Sequence, residues 1–255
     1  MPRFDFKKEL QKNERFSFSK DAGFSKIQVD LSWNTAGLER YGLKGLDLDA
    51  CAFLVGDEGI INNDEDFVYY KSDSRWLPKD PRWNDVVAGK VSPEEIDVTE
   101  GDFSPFDKVR FKTKRNWRKY TLPVSKDGSL IGSWDDPGEA DDDDEEAESG
   151  ETMHVILDNV AEDISEIVFC VSIYPNPDNG PVEKQTFEKV SNAKIEITDE
   201  ESGKVVCSYN LKEKFIGKTA VEVGRFSLND DGDWDFIALG EGHDGGMETL
   251  VGIYA

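Results

Sequence analysis

Histidine, cysteine and positive charge are all scarce in this chain. Its 255 residues hold two histidines, three cysteines and 30 lysines and arginines, against 54 aspartates and glutamates. His154 and His243 stand apart, and Cys51, Cys170 and Cys207 fit no zinc spacing, so zinc is not the expected metal. Three thiols cannot all pair. Each lies in an apolar, strand-like run, which reads as reduced core cysteine in a cytoplasmic protein. Long apolar runs are missing too, and nothing approaches the ~18 residues of a membrane span. The charged opening "MPRFDFKKELQKNERFSF" lacks the apolar stretch of a secretory signal. No membrane span is expected, and any membrane association would be peripheral, through partners. The formal net charge of −24 disfavours nucleic acid and anionic membranes and favours cations or basic protein partners.

What the chain has is alternation. "KIQVDLSW" places Ile27, Val29, Leu31 and Trp33 on one face, and "DFVYY" and "TMHVILD" are shorter candidates. "EIVFCVSIY" is apolar on both faces, as a central sandwich strand would be. "AKIEITD" and "KVVCSYN" flank a turn at Gly203, and "TAVEVGRFSL" and "DWDFIAL" flank "NDDG", two hairpins. The expected fold is all-β: a single two-sheet β-sandwich over residues 1–255, with a short C-terminal helix in "GGMETLVGIYA". "PVEKQTFEKVSN" reads as a further turn of helix. Residues 74–130, rich in Pro, Trp and charge, read as an atypical insertion. Residues 135–151 hold eleven carboxylates in seventeen positions, too many for a core.

The carboxylates carry the chemistry. In a strand, residues two apart share a face about 7 Å apart, so Asp47 and Asp49 project side by side at the mouth of the apolar run "ACAFLV". Asp64 and Asp66 repeat the spacing before the next strand, and the short loop "GDEGI" suggests a hairpin that brings the two pairs together. Clustered carboxylates without His or Cys suit a hard cation. Calcium, with six to eight oxygens at about 2.3–2.6 Å, tolerates loop ligands better than magnesium does. "NDDGDWD" lacks the terminal Glu of an EF-hand and reads as a hairpin turn. "GEGHDGG" lacks the Lys and Ser/Thr of a phosphate loop, and its glycines read as backbone turns. No nucleophile–base pairing stands out, so the chain is not expected to be an enzyme.

The sequence resembles the TerD-type tellurium-resistance domain family. The resemblance runs through "FSFSKDAGFSKIQVDLSW", "LDLDACAFLVGDEG", "DEDFVYY", "ISEIVFCVSIY", "FEKVSNAKIEITDEESGKVVCSYNL" and "TAVEVGRFSLNDDGDWDFIALGEGHDGGMETLV". It implies a β-sandwich that binds two neighbouring calcium ions at an acidic rim. Asp47 and Asp49 match the family's "DLDA", Asp66 its acidic residue before "FVFY", and Asp135 and Asp136 its "GDD" loop. Glu151 matches the last residue of its final acidic motif, but Ser149 and Gly150 stand where two Asp are usual. Residues 141–146, Asp144 among them, are the candidates to replace these two. Lys71 stands in place of the family's Asn. About sixty residues intervene before the acidic loop, where the family has few. The resemblance implies a calcium-dependent stress-response module with protein partners. Two alternatives stay open: an interaction protein whose calcium is architectural, or a divalent-metal-dependent hydrolase.

"KVRFKTKRNWRKY" concentrates seven positive charges in residues 108–119, with Trp117 and Tyr120 as aromatic surface. One reading docks an acidic partner, including single-stranded nucleic acid stacked on Trp117. The other pairs the patch with the chain's own acidic loops. The net charge of −24 favours the second. Fluorescence anisotropy with labelled oligonucleotides is expected to show no binding at physiological salt. Micromolar binding that disappears on changing Arg115, Trp117 and Arg118 to Ala would overturn the internal reading.

Overall fold

In a computed structural model of the chain, residues 7–76, 90, 108–110, 121–133 and 149–255 are described. Asp135, Asp136, Asp144 and positions 111–120 of the basic stretch lie outside them. The described residues form two six-stranded sheets, a small three-stranded sheet and one α-helix. This is the expected all-β architecture with its C-terminal helix.

The first sheet runs, in hydrogen-bonded order, β1 (Lys8–Leu10), β13 (Lys204–Asn210), β12 (Ser191–Asp199), β3 (Lys26–Asn34), β10 (Ser149–Ile156) and β9 (Leu130–Ile131). The second runs β2 (Arg15–Phe18), β15 (Trp234–His243), β14 (Ala220–Leu228), β11 (Glu166–Tyr174), β4 (Asp47–Val55) and β5 (Phe67–Val68). The ladder between β1 and β13 is parallel. The alternation of β3 has its physical counterpart: Ile27, Val29, Leu31 and Trp33 are buried between the sheets while their neighbours reach solvent.

β4 and β11 are buried on both faces for a different reason. Leu48, Ala50, Ala52 and Leu54 face the inter-sheet core with Ile167, Phe169, Val171 and Ile173. Their other faces, with Cys51, Phe53, Val55, Val168 and Cys170, pack under Leu250 and Tyr254 of α1 (Gly246–Tyr254). A continuous apolar run is what a strand covered by a sheet and a helix requires. The cover is tied down where the Tyr254 carbonyl accepts from the Ile61 N–H at 2.7 Å, and the Tyr254 ring lies 4.9 Å from that of Phe53. α1 starts from two left-handed glycines, Gly245 (φ 94°) and Gly246 (φ 63°), whose N–H groups both donate to Thr219 Oγ1. The "GEGHDGG" stretch therefore serves a backbone turn. At residues 229–233, Asn229 Oδ1 accepts from the N–H groups of Asp231 and Asp233 and closes the β14–β15 hairpin.

The ends of the expected insertion are built into the fold. β6 (Ser74–Trp76) pairs with β7 (Lys108–Arg110) and β8 (Leu122–Pro123). Arg75, 2% exposed, clasps this stem: Nε donates to Thr121 Oγ1, Nη2 to the Thr121 carbonyl and Nη1 to the Tyr70 carbonyl. Among the described residues, no helix is long and apolar enough to cross a membrane.

All three cysteines are free and buried, as expected. Cys51 and Cys170 face each other across β4 and β11. Burial pushes the Cys170 thiol up and that of Cys207 to about 12, so few thiolates form at neutral pH. Mass spectrometry is expected to find no adduct after brief native alkylation at pH 8 and three after denaturation in the same reagent. A native disulfide would overturn this assignment.

Candidate functional site

Asp47 and Asp49 share the outer face of β4, as period two requires, and oppose Tyr174 and Ser172 of β11. Asp49 is only 4% exposed. Ser172 Oγ lies 4.0 Å from Met247 Sδ in the first turn of α1. The positive end of the helix dipole therefore begins next to the residue that opposes Asp49.

Glu151 arrives from the other sheet. It opposes Leu31 on β10, and at 6% exposure its side chain points inward like those of Met153 and Val155. β5 pairs with β4 only at Ala52 and Phe53, so among the described residues no strand pairs with the β4 edge beyond them on that side. The Glu151 carboxylate fills the place: Oε2 accepts from the Ala50 N–H at 3.3 Å and from Ser133 Oγ at 2.7 Å. Ser133 and Glu151 flank the acidic run in sequence, so both of its ends are fastened one residue from Asp49. Gly150 leaves no room for the carboxylate usual there. A Cβ at that position would stand 2.4 Å from the Leu31 carbonyl oxygen.

Lys71 completes this end. Its ammonium lies over the rings of Tyr70 and Tyr174, 4.6 and 5.2 Å from their centroids. A hydrogen bond with Tyr70 and, more weakly, the charges of Tyr174 and Asp49 hold its pKa above the ordinary lysine value.

The second carboxylate pair is elsewhere. Asp64 and Asp66 lie in a 3-10 turn, Asp64–Asp66, and not in a strand. Asp64 points to solvent while Asp66 is 3% exposed. The expected hairpin forms, but it separates the pairs. Antiparallel pairing matches Phe53 with Phe67, which sets Asp66 alongside Leu54, about 17 Å along the strand from Asp49. Residues nearest the turn meet each other, and Asp49 is far from it. Asp66 accepts from Asn63 Nδ2 at 3.0 Å, and burial raises its pKa, with a contribution from Asp127. Asp127 was not singled out from the sequence. Its oxygens accept from Ser125 Oγ, the Ser129 N–H and Oγ, and the Ala161 N–H. The turn pattern "SKDGS" is the signal that identifies it. The histidines have other partners: His154 pairs with Glu200, and His243, in the same register row as Asp49 but three strands across, has Nε2 2.8 Å from Glu222 Oε1.

Comparison with known proteins adds the lineage. Tellurium resistance protein TerD of Serratia marcescens is 25% identical over 247 residues, covering 96% of this chain and 95% of its own. General stress protein 16U of Bacillus subtilis is 26% identical over 246 residues, with the same coverage of each. A solved homologue of telluride resistance protein from Streptomyces coelicolor A3(2) gives a TM-score of 0.47 at 19% identity, covering 90% of this chain and 96% of its own. The TerD domain model matches residues 6–76 and 109–254. On that match the chain belongs to the TerD domain family.

Proposed function

We propose that this chain is a calcium-binding stress-response module. Asp47, Asp49 and Glu151 hold the cation at one end of the sandwich, together with Asp135, Asp136 and Asp144 of the acidic run. The observation that carries the reading is the tie of Glu151 to Ser133 and to the Ala50 N–H, which anchors both ends of that run beside Asp49. The donor set is all oxygen, which suits calcium. Among the described residues, no three His, Cys, Asp or Glu side chains gather as a metal site. On this reading the rim supplies part of a shell, and the acidic run the rest, for up to two ions. Asp64 and Asp66 stay outside it. Relatives named for tellurium resistance and general stress support a protective role, and this reading has it exercised through protein partners. Buried free thiols support a reducing, cytoplasmic setting.

Calorimetric titration is expected to show calcium binding in preference to magnesium. Excess calcium should stabilise the fold by about 2.7 kcal/mol per site at a hundredfold excess over Kd. The double change Asp47→Asn with Asp49→Asn should remove most of this. An unchanged melting temperature between calcium and EDTA overturns the proposal. Partner capture unaffected by chelator would mean that the ion is architectural.

Asp66→Asn provides the contrast and is expected to keep the calcium response. Because Asp66 holds its proton more tightly folded than unfolded, its contribution to stability is lost as pH rises from the ordinary aspartate pKa through its raised value. Chemical denaturation of the Asn variant should therefore show equal or greater stability at pH 7 and a smaller gain on acidification. Loss of the calcium response in this variant would return Asp66 to the site.

A further inference from the structure

Lys71 is placed by several independent constraints. β5 ends at Val68, and the chain turns at once: the Ser72 N–H donates to the Tyr69 carbonyl at 2.9 Å, while Ser72 Oγ accepts from the Tyr69 N–H and donates to the Phe67 carbonyl. The neighbouring Tyr70 carbonyl is held by the buried Arg75 guanidinium at 3.0 Å. The Lys71 ammonium is within electrostatic reach of Asp49. The side chain is then clamped between two rings. One is that of Tyr70, and the other is that of Tyr174, which stands directly across the ladder from Asp47. Aromatic faces attract a cation, so the clamp holds a positive charge at the mouth of the Asp47/Asp49 face.

We infer that Lys71 is a built-in counter-cation for Asp47 and Asp49, which competes with a metal ion for these carboxylates and so sets the cation affinity of this end of the sandwich. An ammonium has three donors and no acceptor. It can neutralise a carboxylate but cannot join a metal's ligand shell, so a bound ion must displace it. The end is therefore charge-compensated without metal, and calcium binds more weakly than to the same carboxylates with a neutral residue at position 71. The competition clause rests on the calcium reading above; the electrostatic coupling of Lys71 to Asp49 does not.

The test uses the full chain and two measurements. In calorimetric calcium titrations, Lys71→Gln is expected to tighten Kd about tenfold, equivalent to about 1.4 kcal/mol, and Lys71→Arg to leave it near the original value. In EDTA, a double-mutant cycle of Lys71→Gln with Asp49→Asn, read by melting temperature, should be non-additive, because removing either partner removes the same interaction. Calcium binding with the same Kd in the original chain and in Lys71→Gln overturns the inference and leaves the calcium reading standing. If neither chain binds calcium, the calcium reading fails and the cycle decides alone: coupling supports the counter-cation and additivity overturns it.

Discussion

The geometry of the acidic end depends on β4 being gripped from both sides. Two carboxylates about 7 Å apart repel each other by about 2 kcal/mol at an effective dielectric near 20. Left to themselves they would splay or take the strand end with them. The same strand buries Leu54 in the inter-sheet core and Phe53 under α1, each worth about 1.5–3 kcal/mol. Stacking of Phe53 on Phe67 at 4.4 Å, and of Phe67 on Tyr69 at 4.5 Å, extends the grip to the segment that carries Tyr70 and Lys71. Anchoring exceeds repulsion, so the carboxylates are held where the core puts them.

Charge is then managed locally. Positive side chains are distributed over the surface in pairs such as Arg225–Glu166, Arg15–Asp235 and Lys12–Glu241, each contributing about 0–1 kcal/mol. With 30 lysines and arginines against 54 carboxylates, a net charge of −24 is left over. The two buried aspartates at opposite ends of β4 each have a lysine within electrostatic reach. Lys71 acts on the Asp49 end, while Lys126, bonded to Asn63, eases the Asp66 end. Among the described residues, only the Asp49 end also has a second buried carboxylate brought in from the opposite sheet. That difference makes it the better candidate for a divalent ion.

The fold was legible because its signals are local. Alternation marked β3, the Asn229 turn marked one hairpin, and the doubly apolar runs marked β4 and β11. The site was legible only in part. Asp47 and Asp49 lie within a strand, where period two holds. Extending the same spacing to Asp64 and Asp66 failed, because the chain there is a 3-10 turn and i, i+2 no longer share a face. The expected meeting of the two pairs overlooked the direction of a hairpin, which fixes proximity by distance from the turn. The partnership of Glu151 with the Ala50 N–H was not readable at all, since it depends on β5 stopping short of Ala50.

The tie between Ser133 and Glu151 also sets what kind of segment can lie between them. Closing a loop costs an entropy that grows only with the logarithm of its length, about 0.6 kcal/mol per doubling. Length is therefore a weak constraint on residues 134–148, and charge is the strong one. Ten carboxylates fall in that stretch, within a segment whose ends are joined through a 2.7 Å hydrogen bond. Like charges repel over distances up to the screening length of roughly 8 Å at physiological salt. A cation bound near this end would offset that repulsion. Buried Asp49 and Glu151 reach the same end of β4 from its two faces, one residue apart, with the helix end near Ser172 and the ammonium of Lys71 on the Asp49 side, so the charge of the acidic run adds to that of the sandwich end.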